Sequence, residues 1–257
     1  MFDLRGRVVI VTGGSGQLGR QFARALTDHG ARVAVFDIAA PYPGGEPLAL
    51  QVDVTDRASV ERALAVVVST LGVPAGLVNA AALDSPPDAP VEENGPFETY
   101  PEASWDRVMD VNVKGTMICC QVVGAEMAKA GRGSIVNISS IYGVVSPDQR
   151  IYEYRRRAGA AFFKPVAYAA SKSALLNLSR YLATYWAPRN VRVNTVTFGG
   201  VFNGQDAEFV GEYAKRVPLG RMAREDEYNG AVVFLLSDAS SYMTGSNLVI
   251  DGGWTAW

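Results

Sequence analysis

The chain has 257 residues, enough for one large α/β domain or two small ones. Its 24 basic and 26 acidic residues nearly cancel, which argues against a protein that binds nucleic acid or membrane surfaces. The sequence has no apolar run near the ~18 residues of a membrane span, and no apolar signal core near its start. The two cysteines, Cys119 and Cys120, are adjacent, without spaced metal ligands around them. We expect a soluble, cytoplasmic protein that holds no metal.

The first part of the chain predicts a mononucleotide-binding unit. Arg7–Thr12 is a short apolar strand, Gln17–His29 has apolar residues at helical spacing, and Arg32–Phe36 is a second buried strand. Asp37 ends this second strand, 18 residues after Gly19, close to the spacing of ~20 expected for the acid of such units. Strand, glycine-rich turn, helix, strand and acid, in that order, indicate a dinucleotide site beyond the ends of the strands.

Strands and helices alternate through the rest of the chain. The further predicted strands are Leu48–Val52, Gly76–Val78, Ser134–Ile138, Val191–Val196 and Asn247–Ile250. The further predicted helices are Arg57–Leu71, one capped by Ser104, one from about Val113 to Lys129, Pro165–Trp186 and Glu225–Leu236. Asp84–Ala103 is rich in proline and acid, which predicts a surface loop. Because the strands are apolar throughout, the fold class is α/β: a Rossmann-type doubly wound parallel sheet flanked by helices, in a single domain over residues 1–257.

The turn Thr12–Gly19 (TGGSGQLG) lies between the first strand and the first helix. Glycines there let the main chain approach a pyrophosphate, although a plain turn also tolerates glycine. The Asp37 carboxylate can accept both ribose hydroxyls and repels a 2′-phosphate. Ile38 and Ala39 follow it, so no arginine is present to pair with that phosphate, and NAD is the expected cofactor. Asp53 either accepts from the adenine amino group or caps the next helix.

Tyr168 and Lys172 lie four residues apart in a predicted helix and so share one face. A neighbouring ammonium lowers the pKa of a phenol from ~10, which would let Tyr168 take a proton from an alcohol or return one. A solvated helix face is the alternative for this spacing alone. Ser140 ends a strand in the middle of the sheet, where its hydroxyl either holds a substrate oxygen or only shapes a turn.

Together these residues resemble the short-chain dehydrogenase/reductase family, over Val8–Gly253. The family pattern T-G-x-x-x-G-x-G matches the turn from Thr12 to Gly19. Its N-A-G pattern after the fourth strand matches Asn79-Ala80-Ala81, with alanine in place of the last glycine. The resemblance implies hydride transfer between a nicotinamide cofactor and a substrate carbon. It also implies a homotetramer or dimer.

The resemblance implies a catalytic tetrad and a set of cofactor contacts. Ser140 would orient the substrate oxygen, and Tyr168 would be the acid/base. Lys172 would lower the tyrosine pKa and bind the nicotinamide ribose, and Asn112 would hold a water in a proton relay. The implied cofactor contacts are Gly13, Ser15, Gln17, Leu18, Gly19, Asp37, Asp53, Val54, Asn79, Ala80, Ala81, Tyr168, Lys172, Gly199 and Val201.

The chain departs from the family pattern at several positions. Gln17 stands where the middle glycine of the turn is usual, and Phe198 precedes Gly199 in place of proline. Ser140 and Tyr168 lie 28 residues apart, much further than in ordinary short members. The extra segment, residues 144–164, has five basic and two acidic residues.

This insertion is either a surface flap or subunit contact, or a lid over the substrate. As a lid, it would offer Tyr152 and Tyr154 to a sugar face and Arg155 to a phosphate or carboxylate. The stretches Ser139–Gly143 and Pro165–Lys172 also resemble nucleotide-sugar-modifying members. The run Ser140–Glu153, together with Pro165–Trp186, resembles short-chain oxidoreductases of nonulosonic-acid and surface-glycan pathways.

The sequence therefore predicts an NAD-dependent dehydrogenase that acts on a secondary alcohol of a sugar, polyol or sugar derivative. Two alternatives stay open. One is a 3-oxoacyl or other ketone reductase, against which Asp37 argues because NADPH is the usual reductant there. The other is a catalytically silent NAD-binding regulator, against which the intact set of Ser140, Tyr168 and Lys172 argues.

Overall fold

The computed structural model describes residues 2–39, 47–84 and 91–257. The described residues hold seven strands: β1 (Val8–Thr12), β2 (Arg32–Asp37), β3 (Leu48–Gln51), β4 (Gly76–Asn79), β5 (Gly133–Ser140), β6 (Val191–Phe198) and β7 (Asn247–Ile250). They form one sheet in the order β3-β2-β1-β4-β5-β6-β7, and every pair of neighbours is parallel. The predicted fold class, a doubly wound parallel sheet flanked by helices, is confirmed.

Helices cover both faces of this sheet. Those in the described residues are α1 (Gln17–Asp28), α2 (Arg57–Thr70), α3 (Glu102–Met109), α4 (Thr116–Ala130), α5 (Glu153–Arg157), α6 (Val166–Trp186), α7 (Ala207–Ala214) and α8 (Asn229–Leu236). A π-helical turn, Asp110–Gly115, joins α3 to α4. None of the described helices combines the length and the apolar character needed to cross a membrane.

Strand β1 explains why the predicted strands are apolar without alternation. Successive side chains point to opposite faces of a sheet. Val8 and Ile10 pack in the core formed with α2, α4 and α6, whereas Val9 and Val11 pack in the core formed with α1 and α8. All four side chains are buried. A strand covered by helices on both faces has no solvent side that would select polar residues.

The direction of strand order reverses at β1 and β4, which opens a crevice beyond their carboxyl ends. Thr12 and Asn79 lie side by side there, at the last positions of the two strands. The Thr12 hydroxyl oxygen accepts hydrogen bonds from the main-chain N–H groups of Ala80 and Ala81, both at 3.1 Å. Strand β5 ends nearby at Ser140. The fold thus gathers the predicted cofactor and catalytic residues at one edge of the sheet.

Two predicted helix starts are wrong. Ser104 does not cap α3, which begins at Glu102 after Pro101; its hydroxyl donates instead to Glu93 Oε1 at 3.2 Å. Helix α8 begins at Asn229, not Glu225, because Glu227 is held in a turn by the main-chain N–H of Arg224 at 2.8 Å. Part of the predicted loop 84–103, residues 85–90, lies outside the described residues. Residues 91–94 and 97–99 form short 3-10 helices.

The insertion, residues 144–164, folds into a 3-10 turn at Gln149–Tyr152 followed by α5. Ile151, Tyr152 and Phe162 are buried, and they pack in a third apolar cluster with Tyr213 and Trp254. These contacts fix the segment against α7, a helix that the sequence did not predict. The insertion is therefore a packed wall beside the carboxyl end of β5 and not a loose flap.

Candidate active site

The glycine-rich turn is too crowded for other residues at its key positions. Gly13 has φ +65°, and a Cβ there would lie 2.7 Å from Ala81 Cα. A Cβ at Gly19 would lie 2.1 Å from the Gly13 carbonyl oxygen. Helix α1 begins directly after the turn, at Gln17. The main chain is therefore free to approach a pyrophosphate at the start of α1, as such turns do.

Asp37 is held in place by two main-chain donors. Its Oδ2 accepts from Ser15 N at 2.8 Å, and its Oδ1 accepts from Ala39 N at 2.9 Å. The carboxylate lies on the wall of a cavity of about 450 Å³. Predicted cofactor residues on this wall are Gly13, Ser15, Asp37, Asp53, Val54, Ala80 and Ala81. The turn with its close-packed glycines and the Asp37 carboxylate, held by its two main-chain donors, fit the adenosine half of a nicotinamide dinucleotide.

Asp53 chiefly organises its own turn. Its Oδ1 accepts from Thr55 N at 2.8 Å and from the Thr55 hydroxyl at 2.7 Å. The cap of α2 is Asp56, whose side chain accepts from Ala58 N at 3.0 Å. The capping role considered for Asp53 therefore belongs to Asp56, and the adenine contact stays a prediction.

A second cavity, of about 320 Å³, lies beyond the ends of β5 and β6 and shares Ala80 with the first. Predicted residues on its wall are Gln17, Leu18, Ala80, Ser140, Tyr152, Tyr168, Lys172, Gly199 and Val201. Gln17 donates from Nε2 to Phe202 O at 2.8 Å, so the residue that departs from the family pattern ties the turn to the loop after β6. Asn79 lines neither cavity; it is buried at the end of β4, where its amide donates to Asn137 Oδ1 at 2.8 Å.

Tyr168, Lys172 and Ser140 meet on the wall of the second cavity. Lys172 Nζ lies 5.7 Å from the Tyr168 ring centre and donates to Ile138 O at 2.9 Å. Burial raises the pKa of Tyr168, and the negative charge of Asp84 raises it further, while the nearby Ser140 hydroxyl lowers it. Burial lowers the pKa of Lys172 to about 8. The lowered tyrosine pKa inferred from spacing is therefore wrong for the protein alone, because burial is the largest influence on the phenol.

Asn112 lies in the π-helical turn and is almost completely buried. Its Oδ1 accepts from Leu83 N at 2.7 Å, and its Nδ2 donates to Leu83 O at 3.0 Å and to Ser171 Oγ at 2.9 Å. The side chain thus joins the segment after β4 to α6 on the turn next to Tyr168. π-helical turns are frequent at functional sites. The water relay stays a prediction.

The three predicted substrate residues separate in the structure. Tyr152 lies on the wall of the second cavity, whereas Tyr154 and Arg155 do not. Both turn to Asp206 Oδ2, to which the Tyr154 hydroxyl donates at 2.7 Å and Arg155 Nη2 donates at 2.9 Å. The guanidinium of Arg155 also lies 4.7 Å above the ring centre of Phe162. Its partners are thus groups of the protein, and its contact with a substrate anion stays a prediction.

Polar side chains that the sequence did not single out complete the second cavity. They include Asp84, Tyr142, Lys164, Asn203 and Gln205. All five lie in connections between regular elements or in short turns, where no hydrophobic period shows which way a side chain points. Lys164 stands four residues before Tyr168, but α6 begins only at Val166, so helical spacing does not relate the two.

Comparisons with known proteins agree with this geometry. A family model described as Enoyl-(Acyl carrier protein) reductase matches residues 15–255. A crystal structure of a short chain dehydrogenase from Leptospira borgpetersenii with bound NAD+ superposes with a TM-score of 0.87 at 33% identity, over 98% of this chain and 94% of that one. The chain belongs to the short-chain dehydrogenase/reductase family.

Two curated relatives extend the comparison. The NAD-dependent glycerol dehydrogenase of Listeria innocua is 34% identical over 99% of this chain and 96% of its own length. The D-threitol dehydrogenase of Mycolicibacterium smegmatis is 36% identical over 99% of this chain and 95% of its own length. The predicted enzyme class, a nicotinamide-dependent short-chain dehydrogenase acting on CH–OH groups, is confirmed. The finer resemblance to glycan-pathway oxidoreductases stays a prediction.

Proposed function

We propose that this short-chain dehydrogenase uses NAD to oxidise a secondary alcohol of a polyol or a free sugar. The observation that carries the proposal is the second cavity, where Ser140, Tyr168 and Lys172 share one wall with several polar side chains. A polyol offers several hydroxyl groups that can donate to and accept from this polar wall, whereas an apolar ketone offers a single acceptor. The names of the glycerol and threitol relatives support the same substrate class.

The preference for NAD rests on Asp37. Its carboxylate is held by the main-chain N–H groups of Ser15 and Ala39, so it cannot swing away from the cavity without losing both bonds. A ribose 2′-hydroxyl can donate to this carboxylate, whereas a 2′-phosphate would be repelled by it. The same feature argues against the alternative of a 3-oxoacyl reductase that depends on NADPH.

The chemistry divides between the cofactor and the chain. NAD supplies the hydride acceptor when it is bound. Ser140 holds the substrate hydroxyl against Tyr168, whose phenol oxygen takes the proton as the alcohol becomes a ketone. Lys172, fixed by Ile138 O, provides a positive charge behind the phenol that favours its ionised form. An intact set of these three residues also argues against a silent NAD-binding regulator.

The test is a titration of NAD and NADP, followed by a polyol panel. Wild type should bind NAD at least ~10-fold more tightly than NADP, and Asp37→Ala should lose most of that preference. Asp28→Ala, which removes an exposed aspartate at the far end of α1, should keep it. Glycerol, D-threitol and xylitol should then support NAD reduction. Equal affinities for the two cofactors in wild type, or no turnover of any polyol, would contradict the proposal.

We also propose a homotetramer or dimer in the cytoplasm. The rings of Tyr181 and Tyr185 stack on α6 with centres 6.1 Å apart, and both residues are 64% exposed. Trp257 is 81% exposed, whereas Trp254 is buried within its own chain against Tyr213. Exposed aromatic groups of this size favour burial between subunits. Light scattering that gives the mass of one chain would contradict the assembly.

A further inference from the structure

A lysine and an aspartate outside the tetrad form part of the cavity wall next to the catalytic tyrosine. Lys164 Nζ donates to Asp84 Oδ1 and lies 4.7 Å from the centre of the Tyr168 ring. The Lys164 side chain is only 9% exposed, whereas that of Asp84 is 53% exposed. The pair therefore lines the cavity beside the point where a substrate hydroxyl would meet the phenol.

The position of Lys164 is fixed by its own main chain. Lys164 N donates to Gln149 Oε1 at 2.9 Å, and Gln149 Nε2 donates back to Lys164 O at 3.2 Å. Pro165 follows directly and precedes the first residue of α6. This reciprocal pair of bonds joins the insertion to the start of the catalytic helix. It holds a nearly buried ammonium in the cavity wall, a position that is costly unless the charge has partners.

An ammonium has three N–H donors and no acceptor, whereas a carboxylate is an acceptor only. Asp84 takes one donor of Lys164, and the face of the Tyr168 ring lies beneath the same positive charge. A hydroxyl group, which both donates and accepts, can bind to such a pair in both directions. Because the two charges cancel, the pair offers no net attraction to an anionic substrate.

We propose that Lys164 and Asp84 recognise a second hydroxyl on the carbon next to the reacting carbon. The enzyme would thus select vicinal diols of neutral polyols over simple secondary alcohols. The inference rests on the proposed function and narrows its substrate class. A hydroxyl held against Tyr168 leaves its neighbour within reach of an ammonium that stands over the same ring. A mono-alcohol would displace water from the pair without replacing its hydrogen bonds, and sites of this kind discriminate strongly.

The test compares 2,3-butanediol with 2-butanol, which differ by the second hydroxyl, in the wild-type enzyme with saturating NAD. Wild type should favour the diol in kcat/KM by ~100-fold or more. Lys164→Met should lower kcat/KM for the diol by ~10-fold or more, mainly through KM, and should change that for 2-butanol by less than ~3-fold. Asp84→Asn should act in the same direction. Lys215→Met removes an exposed lysine that is paired with Glu212, and it should behave as wild type.

Several results would overturn the inference. If Lys164→Met lowers kcat equally for both alcohols and shifts the pH profile, the lysine acts only through Tyr168. If Lys164→Met and Asp84→Asn both keep the preference for the diol, the pair does not bind the second hydroxyl, although the proposed function stands. If wild type oxidises polyols of the panel but not 2,3-butanediol, the inference alone fails. If it oxidises neither these two alcohols nor any polyol of the panel, the proposed function fails and the inference fails with it.

Two further measurements keep the test decisive. Lys164→Arg retains a charged donor and should keep most of the wild-type preference for the diol. If Lys164→Met does not fold, the kinetics of Lys164→Arg and Asp84→Asn test the inference in its place. NAD affinity, followed by quenching of tryptophan fluorescence, should stay within ~2-fold of wild type in every variant. A large loss of NAD affinity in Lys164→Met or Asp84→Asn would place the pair at the cofactor and overturn the inference.

Discussion

Lys172 should make the stability of this protein depend on pH in a way that its removal abolishes. Burial lowers the lysine pKa from 10.5 to about 8. This difference corresponds to about 3 kcal/mol at neutral pH, since each pKa unit is worth ~1.36 kcal/mol. The folded protein carries this cost whenever the ammonium stays protonated in its buried position. The catalytic lysine is therefore expected to destabilise the fold at the pH where it works.

The sign of the pH dependence follows from where the proton binds more tightly. Between about 8 and 10.5 the unfolded chain holds this proton and the folded chain has released it. The contribution of Lys172 to stability should therefore become more favourable as pH rises through this window. About 2 of the 3 kcal/mol should be regained by pH 9.5, because the unfolded lysine is still largely protonated there.

The measurement is urea unfolding of wild type and Lys172→Met at pH 7.0 and pH 9.5. The difference in unfolding free energy between the two proteins should shift by about 2 kcal/mol in favour of wild type at the higher pH. The Met variant also leaves Ile138 O without its donor, a cost that does not depend on pH and so cancels in this comparison. Lys215→Met, which changes an exposed lysine, should show the same change in unfolding free energy between the two pH values as wild type. If the unfolding free energy of Lys172→Met also changed with pH by the same amount as that of wild type, the reasoning would be refuted.

Two other substitutions test the catalytic and the structural parts of the site. Tyr168→Phe should lower kcat by ~10²-fold or more while NAD still binds, because it removes the phenol oxygen that we propose as the proton acceptor; retention of most activity would exclude that role. Arg156→Met should destabilise the fold by about 1–3 kcal/mol, since the guanidinium donates to Phe162 O at 2.9 Å and to Gln149 O at 2.8 Å. Arg157→Met, which breaks only an exposed pair with Glu153, should cost less than about 1 kcal/mol, and equal effects in thermal melts would contradict this ranking.

The sheet could be predicted from the sequence because its strands are buried on both faces. A run such as Arg7–Thr12, followed by glycines and a helical period, has few alternative structures. Asp37 could be placed for the same reason, since it follows the strand whose end lies next to the turn. Tyr168 and Lys172 were paired by their spacing along α6, and Ser140 was placed by the end of β5, whereas Asn112 came only from the family resemblance. Local pattern and tertiary position agree at these residues.

The predictions failed where a side chain has a choice of partners. The sequence of the insertion did not indicate which partners its arginines have. Arg155 binds Asp206, and Arg156 binds main-chain carbonyls. Ser104 resembles a helix cap in the sequence, yet it bonds to Glu93, which lies eleven residues earlier. Burial of Tyr168 also raises its pKa, whereas the spacing to Lys172 predicted a lowered pKa. Spacing along the sequence does not report burial. Such outcomes depend on contacts between segments that are distant in the chain.

Two ion pairs join the insertion to residues 206–216, which contain α7, and they affect how such a site can change in evolution. Asp148 accepts from Arg216 Nε at 2.6 Å, and Arg155 donates to Asp206, so each segment supplies one carboxylate and one guanidinium to the other. If residues 144–164 were replaced alone by those of a relative, Asp206 and Arg216 would lose the partners that the insertion supplies. Exchange of the two segments together would keep both pairs. The two segments should therefore vary together among natural relatives, and they should be exchanged together in the laboratory. The substrate range should change when both are replaced.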